Sequence, residues 1–346
     1  MEKTLNKILI IRIDALGDTV LTIPILQSIR NKYPLSKITY IASSIGAPII
    51  ERLKLADELI IIDYNKSSFK DKTCLAGKLY SQKYDVCINI TEKIWGYIWA
   101  FFASSVKIGF FPGLEKPFKS MFLYFLLSNK ITSRKNVHEI ERYLELIKPI
   151  GCGLENIENP VVFIDENETP SVKNLFQKNH SINKNHNIGL QISSKFMSEG
   201  WDEIIIKNLI QRILDECKKI NLFLIYSENE KKHAEKITRF FKSDGRLIVF
   251  ESRDIWEWMS LLKKMKMLVT IDSGASHIAA LIGLYCIDIF GQENYLVNSQ
   301  RWHPWKSPHK LLARGKLNNA AKNDFEELTG KLTENIISGI REFCHE

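Results

Sequence analysis

The sequence lacks the features that mark an exported or membrane-spanning chain. Its six cysteines form no Cys-x-x-Cys pair, and their mostly apolar neighbours predict buried free thiols, which are typical of a reducing compartment. No apolar signal core precedes the first predicted strand, and no stretch reaches the roughly 18 to 20 apolar residues needed to span a bilayer. We therefore expect a cytoplasmic protein that is neither exported nor integral to a membrane.

The sequence also lacks the pattern of a nucleic-acid groove. Basic residues number 48 and acidic residues 40, so the net charge is +8 and an anionic partner is favoured. The basic residues are spread along the chain, and no run of them interleaves with aromatic residues as such a groove requires. We expect an acidic small molecule or an anionic membrane surface rather than nucleic acid. The 346 residues, 45% of them hydrophobic, leave room for two globular domains.

Strand and helix patterns alternate along the chain, as in parallel, doubly wound sheets. A polar stretch near 165 interrupts the alternation, which then resumes. We therefore predict an α/β protein with two Rossmann-like domains, 1–165 and 166–346, whose strand ends face a central cleft where ligands bind. The predicted strands span 7–13, 38–42, 58–62, 84–89, 187–192, 222–226, 246–250, 267–271 and 285–290. The predicted helices span 20–29, 47–55, 69–82, 137–147, 203–219, 230–241, 256–264 and 319–343, and one more helix follows the polar stretch that ends at Pro170.

The stretch from 267 to 283 predicts a strand, a tight turn and the start of a helix. Ser273 or Ser276 can cap this helix, and Gly274 allows the backbone to come close to a ligand. Unpaired N–H groups and the positive end of the helix dipole would then face an anion. The same pattern fits an ordinary strand-helix-strand unit with a capped helix, so the pattern alone leaves both interpretations open.

Aromatic residues concentrate between Trp95 and Phe125, among lysines at positions 107, 116, 119 and 130. One interpretation is a pair of buried helices, because aromatic stripes usually belong to a core. The other is a basic, aromatic surface that lies at a membrane interface or receives an amphiphilic acceptor. The sequence alone does not separate the two.

The stretch at 12–30 reads R-I-D-A-L-G-D-T-V-L-T-I-P-I-L-Q-S-I-R, and it is the first of five motifs that, in order along the chain, resemble those of the ADP-heptose:lipopolysaccharide heptosyltransferases. It resembles the N-terminal signature of that family. The nucleotide-sugar signature of the family resembles D-S-G-A-S-H-I-A-A-L-I-G at 272–283. Three weaker matches lie at 138–151, 226–230 and 290–305. The resemblance therefore extends over most of the chain.

The resemblance implies an inverting GT-B glycosyltransferase that needs no bound metal and no cofactor besides its substrate. The acceptor would bind the N-terminal domain, and the nucleotide sugar would bind the C-terminal domain. The implied reaction transfers heptose from ADP-heptose to Kdo or heptose in the inner core of lipopolysaccharide, at the cytoplasmic face of the inner membrane. Such an anionic glycolipid acceptor agrees with the net charge of +8.

The resemblance also assigns roles to the turn after the first strand. Asp18 would be the general base that takes the proton of the acceptor hydroxyl. Its structural alternative is an N-cap or a first-turn acid of the following helix. Asp14, which lies nearer to the strand, is the alternative base. The acid of such a turn that is not the base often only holds the loop in place. Arg12 and Gly17 complete this acceptor loop.

The donor side is assigned in the same way. Asp272 would contact the sugar of the donor or order the turn, and His277 would donate to a phosphate or sugar oxygen or make a local hydrogen bond. Glu228 would accept bonds from the ribose hydroxyls, or else it is a solvated loop charge. The backbone N–H groups that meet the departing diphosphate would come from Ser273, Gly274, Ala275 and Ser276.

The chain departs from the family pattern in the loop at 191–201. The family usually has a lysine or arginine two residues before a tryptophan, and this chain has Glu199 before Trp201. We expect Lys195 to supply the cation from the same loop. The change also leaves two other functions open: transfer of another nucleotide sugar to a different cell-envelope glycan, and a donor-binding or scaffold protein without turnover.

Overall fold

The structure is a computed structural model that describes residues 4–112, 123–132, 134, 136–153, 169–178, 182, 185–241, 244–314 and 322–344, with side chains from 330 onward in the last range. It divides into two compact units, Met1–Pro160 and Val161–Glu346. The boundary predicted between 165 and 166 lies a few residues further along. Both positions lie outside the described residues.

The N-terminal unit is built on a six-stranded parallel sheet with the order β3-β2-β1-β4-β5-β6. Its strands are β1 (Lys7–Arg12), β2 (Lys37–Ala42), β3 (Glu58–Ile61), β4 (Val86–Asn89), β5 (Lys107–Phe111) and β6 (Asn129–Thr132). Its helices are α1 (Leu16–Val20), α2 (Ile23–Lys32), α3 (Ala47–Leu53), α4 (Phe69–Gln82), α5 (Ile94–Ala103) and α6 (Glu139–Glu145). A single helical turn at 123–126 precedes β6.

The C-terminal unit contains a second six-stranded parallel sheet, with the order β12-β11-β10-β7-β8-β9. Its strands are β7 (His186–Gln191), β8 (Ile220–Tyr226), β9 (Leu247–Glu251), β10 (Met267–Ile271), β11 (Tyr285–Gly291) and β12 (His309–Arg314). Its helices are α7 (Pro170–Lys178), α8 (Ser194–Ser198), α9 (Glu203–Glu216), α10 (Lys231–Thr238), α11 (Ile255–Lys263), α12 (Gly274–Leu281), α13 (Tyr295–Trp302) and α14 (Lys322–Cys344).

The central strands are apolar along their length because both faces of each sheet are covered. Leu9 and Ile11 of β1 belong to a cluster that includes Trp99 of α5, and Ile8 and Ile10 on the opposite face are equally buried. Uninterrupted apolar strands of this kind are typical of parallel sheets. The predicted fold class, an α/β protein with two Rossmann-like sheets, is confirmed.

The aromatic region differs from the prediction of two buried helices. Helix α5 is followed by the strand β5, and the strand β6 follows further on, and neither strand was predicted. Tyr97 and Trp99 are buried, whereas Phe101, Phe102, Tyr124 and Phe125 are exposed. Part of the region is therefore buried, as the first interpretation expects, and part is exposed, while contact with a membrane or an amphiphilic acceptor stays a prediction. Residues 113–122 lie outside the described part of the chain.

Three further elements were not predicted, and one predicted helix is divided. The elements that the sequence did not predict are α8, α13 and β12. The helix predicted at 20–29 is two helices, α1 and α2, with a break at 21–22. Pro24 is the second residue of α2, where a residue without an N–H group costs no helical hydrogen bond.

The cysteines and the helices bear on the predicted compartment. All six cysteines are free, and five are buried. The prediction of buried thiols is wrong for Cys74, which is exposed because it lies on the solvent side of α4. In the ranges that the structure describes, no helix is both long and apolar enough to cross a bilayer.

Candidate functional site

Each sheet reverses its strand order at one switch point. Numbered within its own unit, each sheet has the order 3-2-1-4-5-6, and the reversal falls between β1 and β4 in one unit and between β7 and β10 in the other. The loops that leave the carboxyl ends of such neighbouring strands run in opposite directions and leave a crevice, which is the usual ligand site of these sheets. Most of the predicted site residues follow β1, β7 or β10.

Arg12, at the end of β1, joins both acids of the following turn. Its Nη2 lies 2.6 Å from Oδ1 of Asp18, and its Nε lies 3.3 Å from Oδ2 of Asp14. Its Nη1 donates to the carbonyl of Ile90, beyond β4, at 3.0 Å. The guanidinium therefore connects the turn after β1 to the loop after β4, across the switch point.

The surroundings of Arg12 keep its charge in place. The side chain is buried, and its Cζ lies 5.1 Å from the ring centre of Tyr143. Burial alone would lower the pKa of Arg12, but Tyr143, Asp18 and Asp14 raise that pKa above its ordinary value. A buried cation of this kind needs nearby anions, and the two carboxylates supply them.

The two acids have different surroundings. Asp14 lies between two cations, because the Nζ of Lys93 is 3.5 Å from its Oδ1. In the described part of the chain Asp18 forms an ion pair with Arg12 alone, and its Oδ2 accepts the N–H of Ala15 at 3.2 Å. The Asp18 side chain is 22% exposed. Each carboxylate oxygen has a second lone pair, so Asp18 can also accept a hydrogen bond from a hydroxyl of a bound molecule.

Asp18 also has the structural role that the sequence offers as an alternative, that of an acid in the first turn of a helix. Asp18 is the third residue of α1, and its carboxylate accepts the backbone N–H of the N-cap residue Ala15. Gly17 is buried in the first turn of the same helix. An acid at this position stabilises the start of a helix and can still take part in chemistry.

On the C-terminal side, Ser273 is the cap of α12. Its Oγ accepts the N–H of Ala275 at 3.3 Å, and its carbonyl accepts the Ser276 hydroxyl at 2.9 Å. The sequence left open whether Ser273 or Ser276 caps the helix, and the structure assigns the cap to Ser273. Asp272, Ser273 and Gly274 are partly exposed, so the turn itself is open to a ligand.

A chain of alternating charges crosses this switch point. Lys195 of α8 donates to the carbonyl of Asp272, and its Nζ lies 3.0 Å from Oδ2 of the same residue. Glu199 lies 3.8 Å from the Lys195 amine. On its other side, Oε2 of Glu199 is 2.5 Å from Nη2 of Arg314, at the end of β12. Lys195 and Arg314 thus flank the acid that stands where the family pattern has a cation.

Arg314 is held firmly in this position. Its Nη1 donates to the carbonyl of Glu199 at 2.5 Å, and its side chain is 11% exposed. Burial lowers the pKa of Arg314, and Glu199 partly offsets that effect. Arg314 remains a cation at neutral pH because an arginine starts from a very high ordinary pKa.

The remaining predicted donor residues lie around this turn or after β8. His277 is buried in α12, with its ring centre 6.2 Å from that of Trp302. Glu228 is exposed in a 3₁₀ turn that follows β8. Two residues further on, Glu230 is buried, and its carboxylate accepts the hydroxyls of Ser194 and Ser227 at 2.5 Å each. Glu230 therefore ties the loop after β7 to the loop after β8.

Asp288 lies beneath the turn, in the middle of β11. Its side chain is wholly buried, and neither carboxyl oxygen has a hydrogen-bond partner among the described residues. Burial raises the pKa of Asp288 well above its usual range, and the charge of Asp272 raises it further, while Ser276 and Lys195 act in the opposite direction. Asp288 therefore keeps its proton to a higher pH than an ordinary aspartate does.

Sequence reasoning missed Lys93, Arg314, Glu230 and Asp288. Lys93 follows β4, and its position shortly after a predicted strand could have marked it as a candidate site residue. Arg314 could not be found in this way because the strand that carries it, β12, was not predicted. Nothing in the sequence pattern distinguishes Glu230 from the exposed Glu228 nearby.

The fold and the two switch-point clusters define a two-domain α/β protein of the GT-B type. The chain belongs to glycosyltransferase family 9 (heptosyltransferase), whose family model matches residues 73–332. It is therefore a member of a family of glycosyl-transferring enzymes, and the resemblance found in its motifs is confirmed.

Individual relatives are distant in sequence and similar in fold. Lipopolysaccharide heptosyltransferase 3 of Escherichia coli (strain K12) is 20% identical over 298 residues, 84% of this chain and 82% of that protein. The glycosyl transferase family 9 protein of Veillonella parvula superposes with a TM-score of 0.79 at 17% identity, covering 99% of this chain and 98% of that one. The E. coli heptosyltransferase WaaC with ADP gives a TM-score of 0.67 at 17% identity, covering 96% and 99%.

Proposed function

We propose that the protein is an inverting, metal-independent glycosyltransferase that transfers heptose from ADP-heptose to the inner core of lipopolysaccharide. The observation that carries this proposal is the ion pair of Arg12 and Asp18 at the switch point of the N-terminal sheet. A relative that acts as a lipopolysaccharide heptosyltransferase supports the acceptor class, and a similar fold that binds ADP supports the donor class.

In the proposed step, the acceptor oxygen attacks the anomeric carbon of the donor. The new C–O bond forms while the bond from that carbon to the diphosphate oxygen breaks, and its electron pair leaves with ADP. Asp18 takes the proton of the acceptor hydroxyl during the attack. Arg12 fixes the Asp18 carboxylate through one oxygen, and this restricts its orientation before the acceptor arrives.

On the donor side, the negative charge of the diphosphate grows as the bond breaks. Cations and N–H groups aimed at that charge stabilise the transition state more than the bound donor. We assign this role to two cations, Lys195 and Arg314, and to the N–H groups of Ser273 and Gly274. The N–H groups of Ala275 and Ser276, which the sequence also predicted for this role, already donate to Ser273 in the free protein. Asp272 holds Lys195 in the free protein, and Glu199 holds Arg314. Both cations are therefore positioned before the donor binds.

Glu199 partly neutralises both cations, and this observation favours a donor site that differs from that of the usual family pattern. Its carboxylate competes with a diphosphate for Lys195 and Arg314. The second candidate is therefore transfer of another nucleotide sugar to a different cell-envelope glycan, with the same base and the same turn. Both candidates place the enzyme in the cytoplasm, against the inner membrane that holds the acceptor.

Calorimetry of the purified protein against ADP, UDP, GDP and CMP tests the donor half. We expect selective binding of ADP. Lys195→Ala and Arg314→Ala should each weaken ADP binding by about ten-fold or more, because each removes a hydrogen bond to a charged group. Glu199→Gln should strengthen it, since the competing carboxylate is lost while the Glu199 carbonyl still holds Arg314.

Lys236→Ala is the matched control, because Lys236 forms an ordinary ion pair with Glu203 in the same unit. It should leave ADP binding unchanged. Selective UDP or GDP binding would reject ADP-heptose as the donor and would leave the fold assignment unchanged. Unchanged ADP affinity in both Lys195→Ala and Arg314→Ala would contradict the assignment of these cations.

A further inference from the structure

The N-terminal unit carries a face where exposed aromatic residues and lysines lie together. We define this aromatic face by the end of α5, the helical turn at 123–126 and the strands β5 and β6. Its exposed aromatic residues are Phe101, Phe102, Tyr124 and Phe125, with exposed fractions of 42%, 44%, 58% and 73%. Single exposed apolar residues are common on protein surfaces, but four large aromatic residues on one face are not.

The aromatic residues lie on the same side of the sheet. Tyr97 of α5 packs against Leu123 of the helical turn and against Leu127 just after it, so the helix and the turn lie side by side. In β5, Lys107 and Phe111 are on the side of the sheet that α5 covers, because Lys107 pairs with Cys87, whose side chain belongs to the cluster beneath α5. Their outer surfaces therefore form one layer.

The lysines of this face are placed against aromatic rings. The Nζ of Lys107 lies 5.0 Å from the ring centre of Phe101, and the Nζ of Lys130 lies 4.2 Å from that of Tyr124. The rings of Phe111 and Tyr124 pack edge to face with their centres 6.5 Å apart, and those of Tyr124 and Phe125 do so with their centres 5.7 Å apart. A lysine whose stem lies along a ring can keep its amine at the level of lipid headgroups while the ring enters the interface.

The charge of the face is of one sign. In the described ranges 94–112 and 123–132, the only charged residues are Lys107 and Lys130, and no acidic residue is present. The charge and the aromatic residues together match an anionic lipid surface, since basic residues are attracted to its headgroups and aromatic rings favour its interface. An acidic soluble partner would account for the lysines but not for the exposed phenylalanines.

The face also lies near the proposed acceptor loop. Ile11 of β1 pairs with Asn89, and Asn89 pairs with Gly109 of β5. Phe111 is therefore level with Ile13, next to the turn that holds Asp18. An acceptor anchored in a bilayer would reach this end of the sheet when the face rests on the membrane.

We propose that the aromatic face contacts the surface of a bilayer that contains anionic lipids. This inference deepens the proposed function, because it names the surface that would bring the enzyme to a membrane-held acceptor. It does not depend on the identity of the donor. The contact is interfacial, with the rings of Tyr124 and Phe125 at the level of the headgroups and the lysines at their phosphates.

Co-sedimentation of the full chain with lipid vesicles tests the proposal. We expect binding to vesicles of phosphatidylcholine with phosphatidylglycerol, and weak binding to phosphatidylcholine alone. Tyr124→Ser with Phe125→Ser should reduce binding by about ten-fold or more, because two rings no longer enter the interface. Lys107→Gln and Lys130→Gln should each reduce it by about five-fold, and only on the anionic vesicles.

The matched control is the exposed pair of Phe240 and Lys207 in the C-terminal unit, where Nζ lies 3.9 Å from the ring centre. Phe240→Ser with Lys207→Gln should leave vesicle binding unchanged. Nucleotide binding, measured by calorimetry, shows that each variant is folded. If the wild-type protein binds no nucleotide, the proposed function is rejected, but the result with vesicles still tests the aromatic face.

Three outcomes would overturn the proposal. The first is that the wild-type protein does not bind anionic vesicles. The second is that the control variant loses as much binding as the variant of Tyr124 and Phe125. The third is that the wild-type protein is a dimer that becomes monomeric in the aromatic variant, because the face would then be covered by a second copy of the chain.

Discussion

The side chains that define the candidate site are held in place by charge rather than by packing. Arg12 is buried between two acids, Lys195 is paired with Asp272, and Arg314 is paired with Glu199. Buried or partly buried ion pairs add little net stability, but they fix the orientation of the groups they contain. Such fixed charges lower the cost of arranging a site when a ligand binds.

Asp14 and Asp272 were identified because they directly follow predicted strands, and Asp18 because of the family resemblance of the stretch at 12–30. Sequence reasoning could not show that Arg12 is buried, or that Glu199 faces Arg314. Arg314 lies more than a hundred residues from Glu199 along the chain, and a contact of that kind depends on strand order. Strand order is not contained in local hydrophobic periodicity.

Asp288 provides a test of the electrostatics beneath the donor turn. Since the pKa of its carboxyl is raised in the folded protein, the folded state binds a proton that the unfolded state releases. The stabilisation that this bound proton provides is complete below the ordinary pKa of an aspartate. It is lost as the pH rises toward the pKa of Asp288 in the folded protein, by up to about 1.4 kcal/mol per pH unit. The free energy of unfolding should therefore fall with rising pH over this interval.

Asp288→Asn removes this titration. We expect the difference in unfolding free energy, variant minus wild type, to be more positive at pH 8 than at pH 5 by at least about 1 kcal/mol. Urea denaturation at the two pH values measures it. Asp215→Asn, at an exposed position of α9, is the control for the loss of one negative charge. A difference that is equal at both pH values would show that Asp288 is ionised in the folded protein.

The helices and strands follow from local patterns where those patterns are long. Helix α4 has the predicted bounds of 69–82, and Ser68 with Asp71 forms a capping box at its start. The strands β6 and β12 were missed because each lies at a sheet edge and has few buried residues, and β5 was missed because it lies in the aromatic region that one interpretation made helical. A half-exposed edge strand does not have the apolar run by which a central parallel strand is recognised.

Two glycines in neighbouring helices should respond in opposite ways to the same substitution. Gly77 is exposed in α4, and an added Cβ would meet no atom within 4 Å. Gly96 is buried in α5, and an added Cβ would lie 2.4 Å from Cγ2 of Thr91 and 2.5 Å from Oδ1 of Asn89. The space around each helix therefore decides the sign of the effect.

We expect Gly77→Ala to stabilise the protein by about 0.5 to 1 kcal/mol, because alanine is the better helix former. Gly96→Ala should destabilise it by about 1 to 3 kcal/mol, because α5 is displaced from β4. The urea midpoints of the two variants, compared with the wild type, measure both effects. A lower midpoint for Gly77→Ala, or an unchanged one for Gly96→Ala, would contradict the packing described for these helices.

In the molecule as a whole, the alternation of strands and helices was sufficient to predict two doubly wound sheets. Each half of the chain repeats the same order of six parallel strands, although the halves show no short sequence repeat. Membership of glycosyltransferase family 9 extends this to a class of reaction. The sugar, the acceptor and the role of Glu199 depend on individual side chains rather than on the fold.

The most direct test of the proposed function is transfer itself. The purified enzyme is incubated with ADP-heptose and a lipid-linked Kdo acceptor, and mass spectrometry measures the gain of one heptose by the acceptor. We expect transfer by the wild type, a loss of about a hundred-fold or more in Asp18→Asn, and a smaller loss in Asp14→Asn, which keeps the base. Transfer that survives Asp18→Asn but is lost in Asp14→Asn, or no transfer by the wild type, would contradict the account.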